Sequence, residues 1–233
     1  MKVSYICGYY SELAVKAGKP RPRQPPFYEA YMFCWAVKSG TYSRDFYIDR
    51  SNGKLNITRN NFHLVRPTFG TWAAKKLPSF SEGSILVIPV PSKSALLDAT
   101  SYPSLEMAQQ ALKNTPFSAS VFDGLRWTVK LAKAHEGGPR GRAELLPHLQ
   151  ALGGVAGKDI VLIDDLITTG GTLLACADCL RAAGGNVLGA ITCGRTVYDA
   201  SEPPFKARDF DLEKELSDYH DDQSSGGAIL SAR

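Results

Sequence analysis

The chain has 233 residues, a length that suits one sizeable domain with an elaboration. Hydrophobic residues make up 44% of it and charged residues 21%, as in ordinary globular proteins, and no apolar run approaches the roughly 20 residues of a membrane helix. The net charge of +4 is compatible with a small polyanionic ligand but falls well short of a nucleic-acid signature. Five cysteines, an odd number, argue against a disulfide framework, so we predict a reducing, cytoplasmic location.

Residues 1–80 differ in pattern from the rest of the chain and predict a small α+β elaboration. Val3–Cys7 has the composition of a short strand, and Phe27–Lys38 has the apolar spacing of a packed helix. Two strand-like runs flank Ser51-Asn52-Gly53, and Asn-Gly favours the type I′ turn of a hairpin. Asn61–Val65 is predicted to add another strand.

A basic, proline-rich stretch interrupts this region. Residues 16–26, KAGKPRPRQPP, carry four cations and four prolines, a composition that disfavours a helix. Two interpretations stay open: a solvated connector, or an arm that contacts phosphate groups or nucleic acid.

A pattern of alternating strands and helices begins near residue 81. Ile85–Val90 is an apolar run typical of a buried strand, and the loop residues Ser92, Lys93 and Ser94 follow at its carboxyl end. Loops at that end of the strands are where α/β sheets bind ligands. An ordinary strand-to-helix turn is the alternative. Ser104–Asn114 is predicted to form the next helix, with a serine at its N-cap.

A glycine-rich basic segment, Lys133–Arg142, lies before the second apolar strand. Such a composition cannot pack a core, so the segment is predicted to be a mobile loop. Its candidates for contacts with an anion are Lys133, His135, Arg140 and Arg142. An exposed loop without a function is the alternative.

The stretch KDIVLIDDLITTGGTLLACADCLRAAGG, from Lys158 to Gly185, carries the densest pattern. Its apolar run predicts a strand buried on both faces, and Asp164 and Asp165 follow at the carboxyl end. A small polar turn comes next, and a helical pattern then runs to a pair of glycines that act as a C-cap signal. The turn consists of Thr168, Thr169, Gly170, Gly171 and Thr172.

These residue types suit a phosphate group beside a pair of hydroxyls. Backbone N–H groups at a helix N-terminus are unpaired and bind a phosphate, and glycines let the backbone approach it. Two carboxylates accept hydrogen bonds from vicinal hydroxyls or hold Mg²⁺ through water. The Walker A and Rossmann spacings are both absent from this stretch. A phosphate beside a diol describes a ribose 5-phosphate.

The remaining segments carry less information. Asn186–Cys193 predicts a further buried strand, and Cys176 and Cys179 lie within the preceding helix, where they are predicted to be core thiols. In the acidic C-terminal region, the run DFDLEKELSDYHDD has helical character and the final residues, QSSGGAILSAR, are predicted to be disordered.

The motif VLIDDLITTGGTL, residues 161–173, resembles the phosphoribosyl pyrophosphate (PRPP) binding motif of type I phosphoribosyltransferases. The segments VIPVPSKS and Gly194-Arg195-Thr196 resemble the ComF-like (competence-associated) branch of that family. The resemblance implies an α/β fold of the phosphoribosyltransferase type I class, with a central parallel sheet flanked by helices. We predict three regions: an elaboration over residues 1–80, a PRPP-binding domain over residues 81–198 and an acidic tail over residues 199–233.

By position in the motif, Asp164 and Asp165 would bind the ribose hydroxyls as catalytic residues and hold Mg²⁺. The Thr168–Thr172 loop would bind the 5-phosphate. The loop Ser92–Ser94 would bind pyrophosphate, and Arg140 and Arg142 would close over it from the mobile loop. The expected partners are PRPP, pyrophosphate and an unidentified nitrogen acceptor, with a homodimer left open and no membrane.

The resemblance implies transfer of the 5-phosphoribosyl group to a nitrogenous base or amine. Two alternatives stay open: a non-catalytic sensor of PRPP or nucleotides, and a ComF-like protein associated with nucleic acid.

Overall fold

The computed structural model describes residues 1–10, 25–113, 119–132, 138–139, 141–197 and 203–215. In chain order, its strands and α-helices are β1 (Lys2–Tyr10), α1 (Phe27–Ser39), β2 (Phe46–Arg50), β3 (Gly53–Ile57), α2 (Val65–Lys76), β4 (Ile85–Pro89), α3 (Pro103–Leu112), β5 (Ala119–Val121), β6 (Leu125–Trp127), α4 (Arg142–Leu145), β7 (Leu149–Ala151), β8 (Asp159–Ile167), α5 (Gly171–Ala182), β9 (Asn186–Val197) and β10 (Arg208–Asp211).

A six-stranded sheet forms the centre of the described residues, with the strand order β10-β1-β9-β8-β4-β5. Every neighbouring pair is parallel except β1 and β10, which are antiparallel. The central strands are apolar runs because helices cover both faces of the sheet. The predicted α/β class with a central parallel sheet is confirmed.

Two hydrophobic clusters lie on opposite faces of this sheet, and the alternation of side chains along β8 assigns its residues to them. Leu162 packs in the cluster that contains α5. Val161 and Ile163 pack in the cluster that contains α1, α2 and α3. Because successive side chains of a strand point to opposite faces, Asp164 continues the row that faces α5 and Asp165 continues the row that faces α1.

The N-terminal segment contributes to this central sheet. Strand β1 pairs in parallel with β9 from Lys2 to Tyr10, and α1 packs on the same face as α2 and α3. The predicted hairpin is confirmed as β2 and β3, whose register leaves Ser51 and Asn52 as the two turn residues. The division of the chain at residues 80 and 198 stays a prediction.

Two local predictions are wrong. Asn61 lies in a 3-10 helix, Arg59–Leu64, rather than in a strand, because its side chain accepts a hydrogen bond from the Thr58 backbone N–H at 2.7 Å and caps the turn. The N-cap of α3 is Tyr102, not a serine. Ser104 instead donates its hydroxyl to the Val90 carbonyl at 2.6 Å, which ties α3 to the end of β4.

The acidic C-terminal region forms a strand followed by a helical turn at residues 212–215, and residues 216–233, which include the end predicted to be disordered, lie outside the described residues. Its residues 208–211 are β10, which pairs with the edge of β1 and satisfies that strand's backbone groups. The Ser4 hydroxyl donates to the Asp209 carboxylate at 2.8 Å, and the Leu212 N–H donates to the Met1 carbonyl at 3.0 Å. Pairing with a distant strand therefore overrides the local helical preference at residues 209–211, while residues 212–215 keep it.

None of the helices in the described part of the chain has the length and apolar character needed to cross a membrane. The cytoplasmic location stays a prediction.

Arg66 on α2 joins three helices, and we predict that Arg66→Met lowers the free energy of unfolding by about 2–3 kcal/mol. Its buried guanidinium donates to the carbonyls of Val37 and Lys38 at 2.9 and 3.1 Å and to the Gln110 amide oxygen at 2.9 Å. Methionine fills the space but leaves those acceptors unpaired. Urea unfolding measures the loss. Arg59→Met, at an exposed site, should stay within about 0.5 kcal/mol of the unsubstituted protein, and equal effects of the two substitutions would contradict this role for Arg66.

Candidate functional site

The carboxyl ends of β4 and β8 bring two of the predicted loops together. These strands are parallel neighbours, and the Val90 N–H donates to the Ile163 carbonyl at 2.9 Å. The loop that begins at Pro91 therefore starts at the same level of the sheet as Asp164. Strand β8 continues through the acidic pair to Ile167, so both carboxylates are held on a regular strand rather than on a loop.

Asp164 and Asp165 have different environments because they point to opposite faces of the sheet. Asp164 is half-buried on the side of α5, and its carboxylate accepts a hydrogen bond from the Asp165 backbone N–H at 2.8 Å. Asp165 faces α1, where its Oδ2 lies 2.7 Å from the Nζ of Lys38. The Asp165 side chain is 13% exposed and the Lys38 side chain 67% exposed, so the ion pair forms at the mouth of the site.

The pKa values of Asp164 and Lys38 are both raised, but for different reasons. Burial, followed by the charge of Asp165, raises the pKa of Asp164 well above its ordinary value of 3.8. Burial alone would lower the pKa of Lys38, but the charge and hydrogen bond of Asp165 outweigh it, and the pKa is raised from 10.5. Lys38 is therefore a cation throughout the physiological range.

We predict that Asp164→Asn stabilises the Mg²⁺-free protein at neutral pH, by about 1 kcal/mol or roughly 2–4 °C in Tm. The raised pKa means that the native state binds the Asp164 proton more tightly than the unfolded chain does. Stability is therefore lost as pH rises from the ordinary value of 3.8 through the native pKa. Asparagine keeps the acceptor oxygen and carries no charge. The gain should vanish below about pH 3.8 and grow above it, as measured by thermal unfolding across pH.

Asp159, at the other end of β8, serves as the matched control. Hydrogen bonds from Asn186 and Ser81 lower its pKa, so Asp159→Asn should destabilise the protein at neutral pH. If both substitutions stabilised the protein at neutral pH, or both destabilised it, the raised pKa assigned to Asp164 would be contradicted.

The predicted phosphate loop joins β8 to α5. Thr168 and Thr169 are exposed, and the Thr168 hydroxyl lies 2.9 Å from the Thr196 hydroxyl on β9. Gly170 is the N-cap of α5 and has a left-handed conformation, with φ 78°. Only glycine adopts that conformation readily, and it turns the chain so that the first N–H groups of α5 point out of the helix. The loop has the form of an anion site at a helix N-terminus.

The loop after β4 is held by hydrogen bonds from neighbouring elements. The Ser92 N–H donates to the Ser104 hydroxyl at 3.1 Å, and the Trp127 indole donates to the Pro91 carbonyl at 3.0 Å. The Lys93 ammonium donates to the Ala132 carbonyl. The hydroxyls of Ser92 and Ser94 lie 3.3 Å apart. This loop therefore presents two hydroxyls and a cation from a fixed backbone.

A cavity of about 750 Å³ connects the two loops and the acidic pair. This volume lies within the range of small-molecule sites. The predicted residues that line it are Ser92, Lys93, Asp164, Asp165, Thr168, Thr169 and Thr172. The structure adds other lining residues, among them Lys38, Ser104, Trp127 and Leu145.

Arg142 is not brought to this cavity. It begins α4 and forms a two-pronged ion pair with Asp178 on α5, at 2.5 and 2.7 Å. Of the other cations predicted in the basic loop, Lys133, His135 and Arg140 lie outside the described residues. The residues 16–24 of the basic, proline-rich stretch also lie outside them.

Lys38 is the site residue that sequence reasoning missed. It lies in the last turn of α1, in a segment without any recognisable motif. A lysine near a helix C-terminus has the ordinary role of pairing with the helix dipole. Its position beside Asp165 depends on how α1 packs against the sheet, which the local sequence does not encode.

The family model of the phosphoribosyl transferase domain matches residues 71–209, more than half of the 233 residues. The chain belongs to this family. The predicted type I phosphoribosyltransferase fold is thereby confirmed, and the matched residues include the β4 loop, the acidic pair and the Thr/Gly loop. The finer placement in the ComF-like branch stays a prediction.

Individual phosphoribosyltransferases match more weakly. Over 63 residues the chain is 35% identical to an orotate phosphoribosyltransferase of Bacillus cereus (strain B4264), a match that covers 27% of this chain and only 30% of that protein. Among solved structures, a hypoxanthine phosphoribosyltransferase from Staphylococcus aureus aligns with a TM-score of 0.34 and 13% identity, covering 60% of this chain and 70% of the other. The orotate phosphoribosyltransferase of Mycobacterium tuberculosis H37Rv, solved with Fe(III) dicitrate, aligns with a TM-score of 0.35 and 15% identity. That alignment covers 74% of this chain and 87% of the other.

The oxygen ligands of the site suit Mg²⁺. Two carboxylates and the hydroxyls of the Thr/Gly loop are hard donors of the kind that this ion prefers, with water completing its shell. The Lys38 ammonium lies 2.7 Å from Asp165, so a cation bound directly at that carboxylate competes with it. The donor set fits an ion held through water better than one held by both carboxylates at once.

Proposed function

We propose that this protein transfers the 5-phosphoribosyl group of PRPP to a nitrogenous base or amine and releases pyrophosphate, with Mg²⁺ as cofactor. The observation that carries the proposal is one cavity lined by residues of the loop after β4, the acidic pair and the Thr/Gly loop. PRPP has the matching chemistry, since it carries a phosphate at one end, a pyrophosphate at the other and two vicinal hydroxyls between them. Membership of the phosphoribosyl transferase domain family supports the same reaction class.

The 5-phosphate end is assigned to the Thr168–Thr172 loop. The N–H groups at the start of α5 and the threonine hydroxyls are donors, and the positive end of the helix dipole favours a dianion there. Binding this remote phosphate positions the ribose without taking part in the bond change, which converts binding energy into correct orientation.

The pyrophosphate end is assigned to Ser92, Lys93 and Ser94. As the bond between C1 of ribose and the pyrophosphate oxygen breaks, the leaving group gains charge, and a fixed cation with two hydroxyls stabilises it. Mg²⁺, held through water by Asp164 or Asp165, would neutralise further charge on the leaving group. Arg140 and Arg142 stay proposals for closure over this end, and Arg142 would first have to leave Asp178.

Asp164 and Asp165 are assigned to the ribose hydroxyls, whose O–H groups donate to carboxylates. Negative charge near the ring also favours the positive character that C1 develops as the leaving group departs. The new bond then forms between C1 and the acceptor nitrogen, and the proton of that nitrogen passes to solvent. No side chain is assigned as the base, because orientation and charge stabilisation lower the barrier without one.

The test is pyrophosphate release from PRPP and Mg²⁺ over a panel of purines, pyrimidines including orotate, and small amines. The expected result is Mg²⁺-dependent release with one class of acceptor. PRPP that binds calorimetrically but supports no turnover with any acceptor would favour the sensor instead. If PRPP neither binds nor raises the Tm of the protein, the transferase and the sensor functions are both excluded. Steep salt-dependent affinity for DNA or RNA would favour the third function.

A further inference from the structure

Three cysteines that are far apart in the sequence meet in the core. Cys7 lies on β1, Cys34 on α1 and Cys193 on β9, and their sulfur atoms all lie within 4.8 Å of one another. The Cys7 and Cys34 sulfurs are 3.3 Å apart. The three residues are 0%, 3% and 0% exposed, and all three are free thiols.

The spacing of these sulfurs matches the ligand shell of a soft metal ion. With metal–sulfur bonds of about 2.3 Å, two thiolates of a tetrahedral centre lie roughly 3.8 Å apart. In the cluster, the Cys7 and Cys34 sulfurs are 3.3 Å apart and no two of the three sulfurs are more than 4.8 Å apart. This range includes the expected distance. The ligands come from three elements, so a bound ion would cross-link helix α1 to two strands.

Gly194, the residue after Cys193, gives the cluster its space. A Cβ built at Gly194 would lie 2.4 Å from the Cys34 sulfur, so any side chain there would displace the thiol. The backbone of Gly194 is not left-handed. Space for the thiol, rather than backbone conformation, therefore accounts for the glycine.

Charge selects the ion. Thiolates favour Zn²⁺ and Cu⁺ over hard ions such as Mg²⁺. Three thiolates leave a net charge of −1 with Zn²⁺ and −2 with Cu⁺, and burying charge is costly. Lys38 lies one turn along α1 from Cys34 and supplies a nearby positive charge, although its ammonium is already paired with the Asp165 carboxylate. The smaller net charge favours Zn²⁺.

We propose that Cys7, Cys34 and Cys193 bind one Zn²⁺ ion and so clamp α1 to β1 and β9. Binding releases the three thiol protons, one for each zinc–sulfur bond formed. Within the described residues, no other Cys, His, Asp or Glu joins the cluster. None of the three cysteines lines the cavity of the proposed reaction, so the zinc site does not depend on phosphoribosyl transfer.

Zinc content of the full-length protein is the first test. After purification under reducing conditions and dialysis against metal-free buffer, mass spectrometry of the metal should find one zinc ion per chain. Cys193→Ser should lower zinc affinity at least about tenfold in a chelator competition. Cys179→Ser, which removes a half-buried thiol of α5 outside the cluster, is the matched control and should bind zinc as the unsubstituted protein does.

A second measurement needs no variant and so does not depend on a serine substitution being tolerated. Zinc should raise the Tm of the metal-free protein and protect Cys7, Cys34 and Cys193 from alkylation, leaving the half-buried thiol of Cys179 reactive. Cobalt in place of zinc should give thiolate-to-metal charge-transfer absorption. Absence of zinc with no change in Tm would overturn the proposal, and so would a disulfide between Cys7 and Cys34 in place of metal.

Discussion

Asp165→Asn is expected to lower kcat/KM for PRPP by at least about 100-fold. Asparagine keeps the shape of the side chain but removes the negative charge and replaces one acceptor oxygen with an N–H donor. A ribose hydroxyl would then meet a donor, and Mg²⁺ would lose one carboxylate of the site. Pyrophosphate release and calorimetric titration with PRPP measure turnover and affinity separately.

The fold should survive this change, which makes the result specific to the site. The partner of Asp165 is Lys38, whose side chain is 67% exposed, and ion pairs of that kind contribute less than about 1 kcal/mol. Asp159→Asn makes the same chemical change at the opposite end of β8 and should leave PRPP affinity unchanged. Wild-type kinetics in Asp165→Asn would remove this residue from the proposed site.

Gly170→Ala is expected to lower the free energy of unfolding by about 2 kcal/mol and to weaken PRPP binding. One part of the cost is the backbone, since φ at Gly170 is 78°. The other part is steric, because the new Cβ would lie 2.5 Å from Cδ1 of Leu212, a residue only 4% exposed. A change in the backbone at residue 170, or a shift of the loop away from Leu212, tilts the N–H groups at the start of α5 away from the phosphate.

A Leu212→Ala background separates the two costs. Removing the Leu212 side chain opens the space above Gly170, so Gly170→Ala should then cost only the backbone part, about 1 kcal/mol. Urea unfolding of both single variants and the double variant gives the coupling directly. Strictly additive effects would show that Leu212 does not constrain the loop. Gly153→Ala, at an exposed glycine with nothing near its Cβ, should change stability by less than about 0.5 kcal/mol.

The parts of the site that could be predicted from the sequence are those encoded in one contiguous segment. Strand β8, the acidic pair, the Thr/Gly loop and α5 follow one another, and strand-to-helix turns of this kind have few geometries. The parallel sheet followed from apolar runs alternating with helical patterns. Even here the sequence did not show that Asp164 and Asp165 face different helices, which follows from β8 continuing through both residues.

The parts that could not be predicted depend on contacts between distant segments. Lys38 reaches Asp165 only because α1 packs against β8. The three cysteines of the proposed zinc site come from residues 7, 34 and 193, and nothing in their spacing indicates that they meet. Arg142 was predicted to contact pyrophosphate because of its charge and the glycines around it. It pairs with Asp178 instead, because of the way α4 packs against α5.

The position of β1 between β9 and β10 has a consequence for the order in which the chain folds. This first strand is synthesised long before either of its two partners, residues 186–197 and 208–211, leaves the ribosome. Contacts so distant in sequence form slowly, because the intervening chain must first be brought together. Until then β1 has two unpaired edges, so nascent chains are open to association through them and to chaperone binding. Helix α1 packs against β1 and β9 as well as β8, so we expect the acidic pair to gain its cation, Lys38, late in folding.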